Sequence, residues 1–144
     1  MAGVPVTVGP LEARAGRLAS FLKDYAGREF SHGVADCAIM VADWIRSETG
    51  RDPAADLRGR YSRERDWRRI VDEAGGMVAL YDVLAMSVGL RHESVAKVGD
   101  IAVVVADGQQ FGAIRTPDRW AVKLSDGLTS SGDFMPIAIW QVPI

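Results

Sequence analysis

The sequence predicts an α+β domain in which N-terminal helices pack on a C-terminal antiparallel β-sheet. Three observations carry this. Apolar residues recur at helical spacing in four segments that all precede Gly89, whereas after Gly99 the pattern changes to short runs rich in β-branched and aromatic residues. Asp107-Gly108, set between two such runs, is a two-residue hairpin signal that joins antiparallel neighbours. Helices and strands are segregated along the chain, which argues against a doubly wound parallel sheet. With 144 residues, 48% of them hydrophobic, the chain fits one domain over residues 1–144 with a core of its own.

The elements follow in order. Val4 to Gly9 lies in an extended lead-in, residues 1–10. Pro10 then opens a helix over about Leu11 to Tyr25, with Leu11, Ala15, Leu18, Ala19, Leu22 and Tyr25 as its stripe and Gly27 as its stop. Arg28 to Ala35 is a loop in which Gly33 permits a tight turn. Asp36 is a good N-cap, and Cys37, Met40, Val41, Trp44 and Ile45 form one apolar stripe of a buried helix that stops at Gly50. Residues 51–76 form a helical, Arg-rich insertion, with Trp67, Ile70, Val71 and Ala74 facing inward and Gly75-Gly76 as its end. Val78 to Val88 is a short helix with Leu80, Val83, Leu84 and Val88 on one side. Val98-Gly99-Asp100 turns into Ile101–Ala106, a continuous apolar run suited to a strand buried on both faces. Phe111–Arg115, Trp120–Leu124 and Pro136–Val142 are three further strands, with Ser125 to Asp133 read as a loop.

Cys37 is the chain's only cysteine and the first residue of its helix. The partial positive charge and unpaired N–H groups of a helix start favour a thiolate, and so a nucleophile, while Asp36 beside it pulls the other way. A lone cysteine is equally a common buried core residue. His32 lies in the loop five positions before Cys37, and His92 stands in Arg91-His92-Glu93; either is a surface histidine unless it contacts the sulfur. Arg58, Arg60, Arg63, Arg65, Arg68 and Arg69 are interleaved with Asp56, Glu64, Asp66, Asp72 and Glu73, which suits a solvated helix face laced with ion pairs. The other reading is a docking surface for an acidic partner, with Arg58 and Arg60 as contacts and Tyr61 and Trp67 as aromatic anchors.

Several function classes fall away. Net charge is −2 with both signs interspersed, so no global field favours nucleic acid or an anionic membrane. One cysteine allows no intramolecular disulfide. Two histidines sixty positions apart, without H-E-x-x-H or C-x-x-C, supply no metal shell, and no glycine-rich phosphate loop or cofactor motif is present. Met1 to Pro10 lacks a signal-peptide pattern and no apolar run reaches membrane-span length, so the expectation is a protein made in the cytoplasm without a signal peptide.

Asp36-Cys37 followed by an apolar helix, Gly99-Asp100 followed by Ile101 to Val105, and Gln110-Phe111-Gly112-Ala113-Ile114 resemble the three blocks of the NlpC/P60 cysteine peptidases, over roughly Arg28 to the C-terminus. More closely, Phe30 to Cys37, Thr49-Gly50-Arg51-Asp52-Pro53, Arg58 to Tyr61, Gly75-Gly76, Gly99-Asp100 and Ala138-Ile139-Trp140 resemble an uncharacterised NlpC/P60-like family of tailed phages and prophages. The resemblance implies a reduced papain-like core. In the enzymes a cysteine attacks a peptidoglycan peptide bond, a histidine is the base, and a polar residue on the next strand orients it. Carried over, Cys37 is the nucleophile, Gln110 stands where the base belongs, and the orienting position falls near Trp120. A glutamine amide accepts no proton near neutral pH and an indole offers only a donor, so two of three roles are vacant.

Two functions follow from the resemblance. One is a catalytically degenerate domain that is a structural or binding component of a phage or prophage-derived tail, with other tail proteins or a cell-wall peptide or glycan as partner. The other is an active cysteine peptidase or amidase with Cys37 as nucleophile and His92 or His32 as a migrated base.

Overall fold

The computed structural model describes residues 8–144. Residues 1–7, most of the expected extended lead-in, lie outside the described residues. Four helices, α1 (Pro10–Ala26), α2 (Cys37–Thr49), α3 (Glu64–Ala74) and α4 (Met77–Ser87), precede a six-stranded sheet. Its strands are β1 (Arg91–His92), β2 (Ile101–Ala106), β3 (Gln109–Arg115), β4 (Trp120–Leu124), β5 (Gly127–Ser131) and β6 (Met135–Gln141). All pairs are antiparallel, in the order β1-β6-β2-β3-β4-β5. The α+β class is therefore as the sequence predicts. Among the described residues no helix is long and apolar enough to cross a membrane.

The local signals explain most elements. Asp36 Oδ1 accepts from the Ile39 N–H at 2.8 Å, the N-cap bond that starts α2, and Gly50 at φ 76° ends it in the left-handed conformation. Asp107 and Gly108 both have positive φ, 51° and 74°, as a tight β2–β3 hairpin of right-handed twist requires. β2 is the central strand, paired with β3 on one side and β6 on the other, which accounts for its unbroken apolar run.

The differences lie where the local pattern is weak. Ser125–Asp133 is not a loop throughout: Gly127–Ser131 forms edge strand β5, because polar residues suffice for a strand whose outer side faces water. In the insertion only Glu64–Ala74 is helical; residues 51–63 are turns pinned by Asp52, which caps Ala54 N–H and holds Arg58. On α1, Arg14 is buried and Leu11 and Ala19 are exposed. The Arg14 guanidinium is compensated by Glu48 at 2.8 Å and by the carbonyls of Val142 and Pro143, so the charge is neutralised where the C-terminal segment crosses the helix. On α4 the buried residues are Met77, Leu80, Tyr81 and Ala85, while Val83 is exposed. That helix is apolar nearly all round, so periodicity had no contrast from which to choose its inner face.

α2 lies at the centre of the core. Trp44 and Trp140 are fully buried, and each indole N–H is bonded, to the Gly99 carbonyl at 2.8 Å and to Asp82 at 3.0 Å. Gly99, at φ 88°, has Arg14 Cδ only 2.4 Å from where a Cβ would stand, so the Gly-Asp turn has no room for a side chain. Asp100 then receives Lys97 N–H and Val142 N–H, tying the entry of β2 to the chain's last turn.

Candidate functional site

The N-terminus of α2 meets the sheet beside β3. Arg115 N–H donates to the Asp100 carbonyl at 2.8 Å. Alternation then turns the N–H groups of Ala113 and Phe111 toward β2, and those of Ile114 and Gly112 toward β4. β3 and β4 pair at Ile114–Ala121 and Arg115–Trp120, and the ladder stops there. Beyond that point the Gly112 N–H faces the Cys37 sulfur instead of a strand. The N–H groups of Cys37 and Ala38, in the first turn of α2, face it as well.

Although Cys37 is only half-buried as a residue, these three donors do not outweigh the groups that favour its thiol form. Burial, and after it the negative charge of Asp36, push the thiol up to about 12, while the N–H groups offset only part of that. Asp36 is itself buried and saturated: it accepts from Gly33 N–H at 2.8 Å, Ile39 N–H at 2.8 Å and the Tyr61 hydroxyl at 2.5 Å. Gly33 is required here, since a Cβ at that position would lie 2.2 Å from the Tyr61 carbonyl oxygen. The α1–α2 loop, the insertion and the start of α2 are thus locked into one unit around Asp36.

The two histidines are placed differently: His32 is in the α1–α2 loop and His92 is across the sheet. His92 is on β1, separated from β3 by β6 and β2, and three strand spacings amount to about 14 Å. Its Nε2 lies 2.7 Å from Asp82 and its ring stacks on Trp140 with centroids 5.1 Å apart. His32 packs edge-on against Phe30 at 4.9 Å and lies 6.5 Å from the Tyr61 ring. Gln110 is exposed on β3 and shares the face of Gly112, two residues along. Trp120 is buried opposite Arg115, three residues out of phase with Gly112, and so lies on the other face of the sheet within a cluster of Ala102, Val104, Ala113 and Val122.

The arginine face divides. Arg58 is held at 2.7 Å from Asp43 and 2.8 Å from Asp52, so it serves internal pairs and not a docking surface. Tyr61 is buried, which removes it as an exposed anchor; Trp67 stacks on it at 5.1 Å and packs half-buried against the core. Arg60 is exposed. Arg68 pairs with Glu64 and Arg63 with Asp66 along α3, as expected of a solvated, ion-paired face.

Sequence reasoning missed Tyr81. This α4 residue is 3% exposed, and its hydroxyl is a buried polar atom without a hydrogen-bond partner. The hydroxyl would stand 1.9 Å from a Cβ on Gly112, so the phenol tip takes the space of a side chain at that position. The phenol is held neutral by burial and by the neighbouring Cys37 and Asp36. Lys123 was also missed; it is buried on β4, with its ammonium donating to the Arg28 carbonyl. The only sequence signals were a tyrosine in an apolar helix and a lysine in an apolar strand, both common at surfaces. Among the described residues no three His, Cys, Asp or Glu side chains are grouped to hold a metal ion.

The family model described as Domain of unknown function (DUF6950) matches residues 11–142. No curated protein and no solved structure matches the chain.

Proposed function

The chain belongs to the DUF6950 family, a domain of unknown function, and we propose that it is a catalytically degenerate, NlpC/P60-like domain, a structural or binding component of a phage or prophage-derived tail. One observation carries the degenerate half: burial and the charge of Asp36 push the Cys37 thiol up to about 12, and His92, the histidine that follows it in the chain, stands three strand spacings from β3. The papain-like half is supported by the order of elements, a cysteine opening a buried helix whose first turn faces a strand of an antiparallel sheet. The tail assignment and its partners, neighbouring tail proteins or a cell-wall peptide or glycan, rest on the sequence resemblance.

The active-peptidase alternative has the helix-start placement of Cys37 in its favour, through the three N–H groups that face the sulfur. Iodoacetamide labelling of the folded protein across pH, with His92→Ala and His32→Ala alongside, decides between the two. The degenerate reading expects no labelling in the acidic range, no effect of either substitution, and no peptide released from purified peptidoglycan. Acid-range labelling that one histidine substitution abolishes would establish the peptidase instead. Mass spectrometry of purified particles tests the tail assignment, which fails if the chain is absent from them.

A further inference from the structure

Helices α1 and α2 leave a surface groove of about 450 Å³ between them, at the end of α2 away from Cys37. Glu48, on its rim, is about 16 Å from Cys37 along the axis of α2, so the groove is separate from the cysteine site. Gly16 and Ser20 on α1 and Ser47 on α2 line it with too little volume to close the gap. Phe21 and Trp44, whose ring centroids lie 5.4 Å apart, supply its apolar surface. The fold gives no reason for a glycine at position 16. It lies inside α1, where glycine is less favourable than alanine, and an added Cβ would meet nothing within 4 Å. What the missing side chain does is leave the groove open.

The rim of the groove carries an excess positive charge. Arg14 Nε and Arg17 Nη2 donate to Glu48 Oε1 at 2.8 and 2.9 Å, and Arg17 Nε donates to Oε2 at 2.9 Å, so one carboxylate serves two guanidinium groups. Arg14 directs its other nitrogens to the carbonyls of Val142 and Pro143. Arg17 is half-exposed, and its Nη1 donates to no described residue. The end of its guanidinium that can grip a carboxylate through two parallel bonds is therefore free. We propose that the α1–α2 groove binds a small aromatic monocarboxylate: Arg17 holds the carboxylate at the rim, and the ring lies over Gly16 against Phe21. The single excess charge matches a singly charged anion. A flat ring suits a slot that lacks a Cβ on one side and has aromatic rings on the other, and the volume lies within the range of small-molecule sites, about 300–1,000 Å³.

The test is an NMR titration of the folded full-length chain with 3-phenylpropionate. Its amide, which keeps the ring without the charge, and acetate, which keeps the charge without the ring, are the comparison probes. The variants are Arg17→Gln, Gly16→Leu and Arg65→Gln. Leucine is a good helix former and has room at position 16, so Gly16→Leu fills the groove while leaving the Arg14–Glu48–Arg17 bonds in place. Arg65 is exposed on α3 and controls for attraction of an anion to any surface arginine. Saturable binding of 3-phenylpropionate is expected, weaker by about tenfold or more for the amide and for acetate, and weaker to the same degree in Arg17→Gln and Gly16→Leu. Arg65→Gln should bind as wild type does. No saturable binding to wild type, equal binding of the amide, wild-type affinity in Gly16→Leu, or an equal loss in Arg65→Gln overturns the proposal; Gly16→Leu decides alone where Arg17→Gln does not fold.

Discussion

The Tyr61 hydroxyl donates to Asp36 Oδ2 at 2.5 Å, a contact between the turn region of the insertion and the N-cap of the cysteine helix. Both groups are buried, so the bond is a charge-assisted one in a poorly solvated place. It makes the insertion part of the site's foundation and fixes the Asp36 carboxyl group beside the thiol.

Tyr61→Phe removes that donor while keeping the ring on Trp67. The carboxylate retains the N–H groups of Gly33 and Ile39, so the expected loss is about 1.5–3 kcal/mol of stability, the range for hydrogen bonds to charged groups. Urea unfolding should show a lower midpoint with an unchanged slope.

Asp36→Asn keeps a good N-cap residue and deletes the negative charge. Since Asp36 is the second cause of the raised Cys37 thiol and burial the first, the value should fall from about 12 yet stay above that of a free thiol, about 8.5. Thiolate absorbance followed through an alkaline titration measures it. A value at or below that of free cysteine would mean that burial is not the dominant cause.

Gly112→Ala should be strongly unfavourable although its backbone lies in an ordinary strand, because the new methyl meets Tyr81 Oη at 1.9 Å and Cζ at 2.7 Å. Overpacking of this kind destabilises by about 1–3 kcal/mol. Tyr81→Phe by itself should be neutral or stabilising by up to about 1 kcal/mol, as it removes a buried hydroxyl without a partner. In the variant carrying both substitutions, loss of the hydroxyl relieves only part of the clash, since the ring carbons remain close. A double-mutant cycle should therefore give a coupling that is real but incomplete.

The acid limb of the stability profile should depend on Glu48. Hydrogen bonds from Arg17, and then Arg14, hold its carboxyl below the usual range against the opposing effect of burial. A lowered folded value means the unfolded chain binds the proton more readily, so this stabilisation is complete above about pH 4.5 and is lost as pH falls through the folded value. Glu48→Gln should be less stable than wild type at neutral pH, with the two converging in acid. Asp100 acts in the opposite sense: burial raises its carboxyl, so its contribution improves as pH falls, and the net acid loss is smaller than Glu48 alone would produce.

Much of the architecture was legible because its causes are local. Asp36 caps α2, Gly50 ends it, and Asp107-Gly108 turns β2 into β3, each through the conformation of one or two residues. Cys37 at the first position of a buried helix follows from the same kind of signal. Where local contrast vanished the reading failed: the apolar circumference of α4 hid Tyr81, and the polar residues of β5 resembled a loop. Arg58 resembled its neighbours on the arginine face because nothing in its surroundings in sequence announces Asp43.

Residue identity and short-range pattern were enough for the α+β class, the order of most helices and strands and the cysteine at a helix start, since periodicity, caps and turns act within a few residues of chain. The environment of the thiol arises only on packing. His92 lies across the sheet, Asp36 is buried, and Tyr81 enters the hollow over Gly112. Those outcomes depend on which faces meet after α2, α4 and β3 come together, and that meeting joins residues far apart in sequence through volume and desolvation, for which the linear pattern holds no local signal.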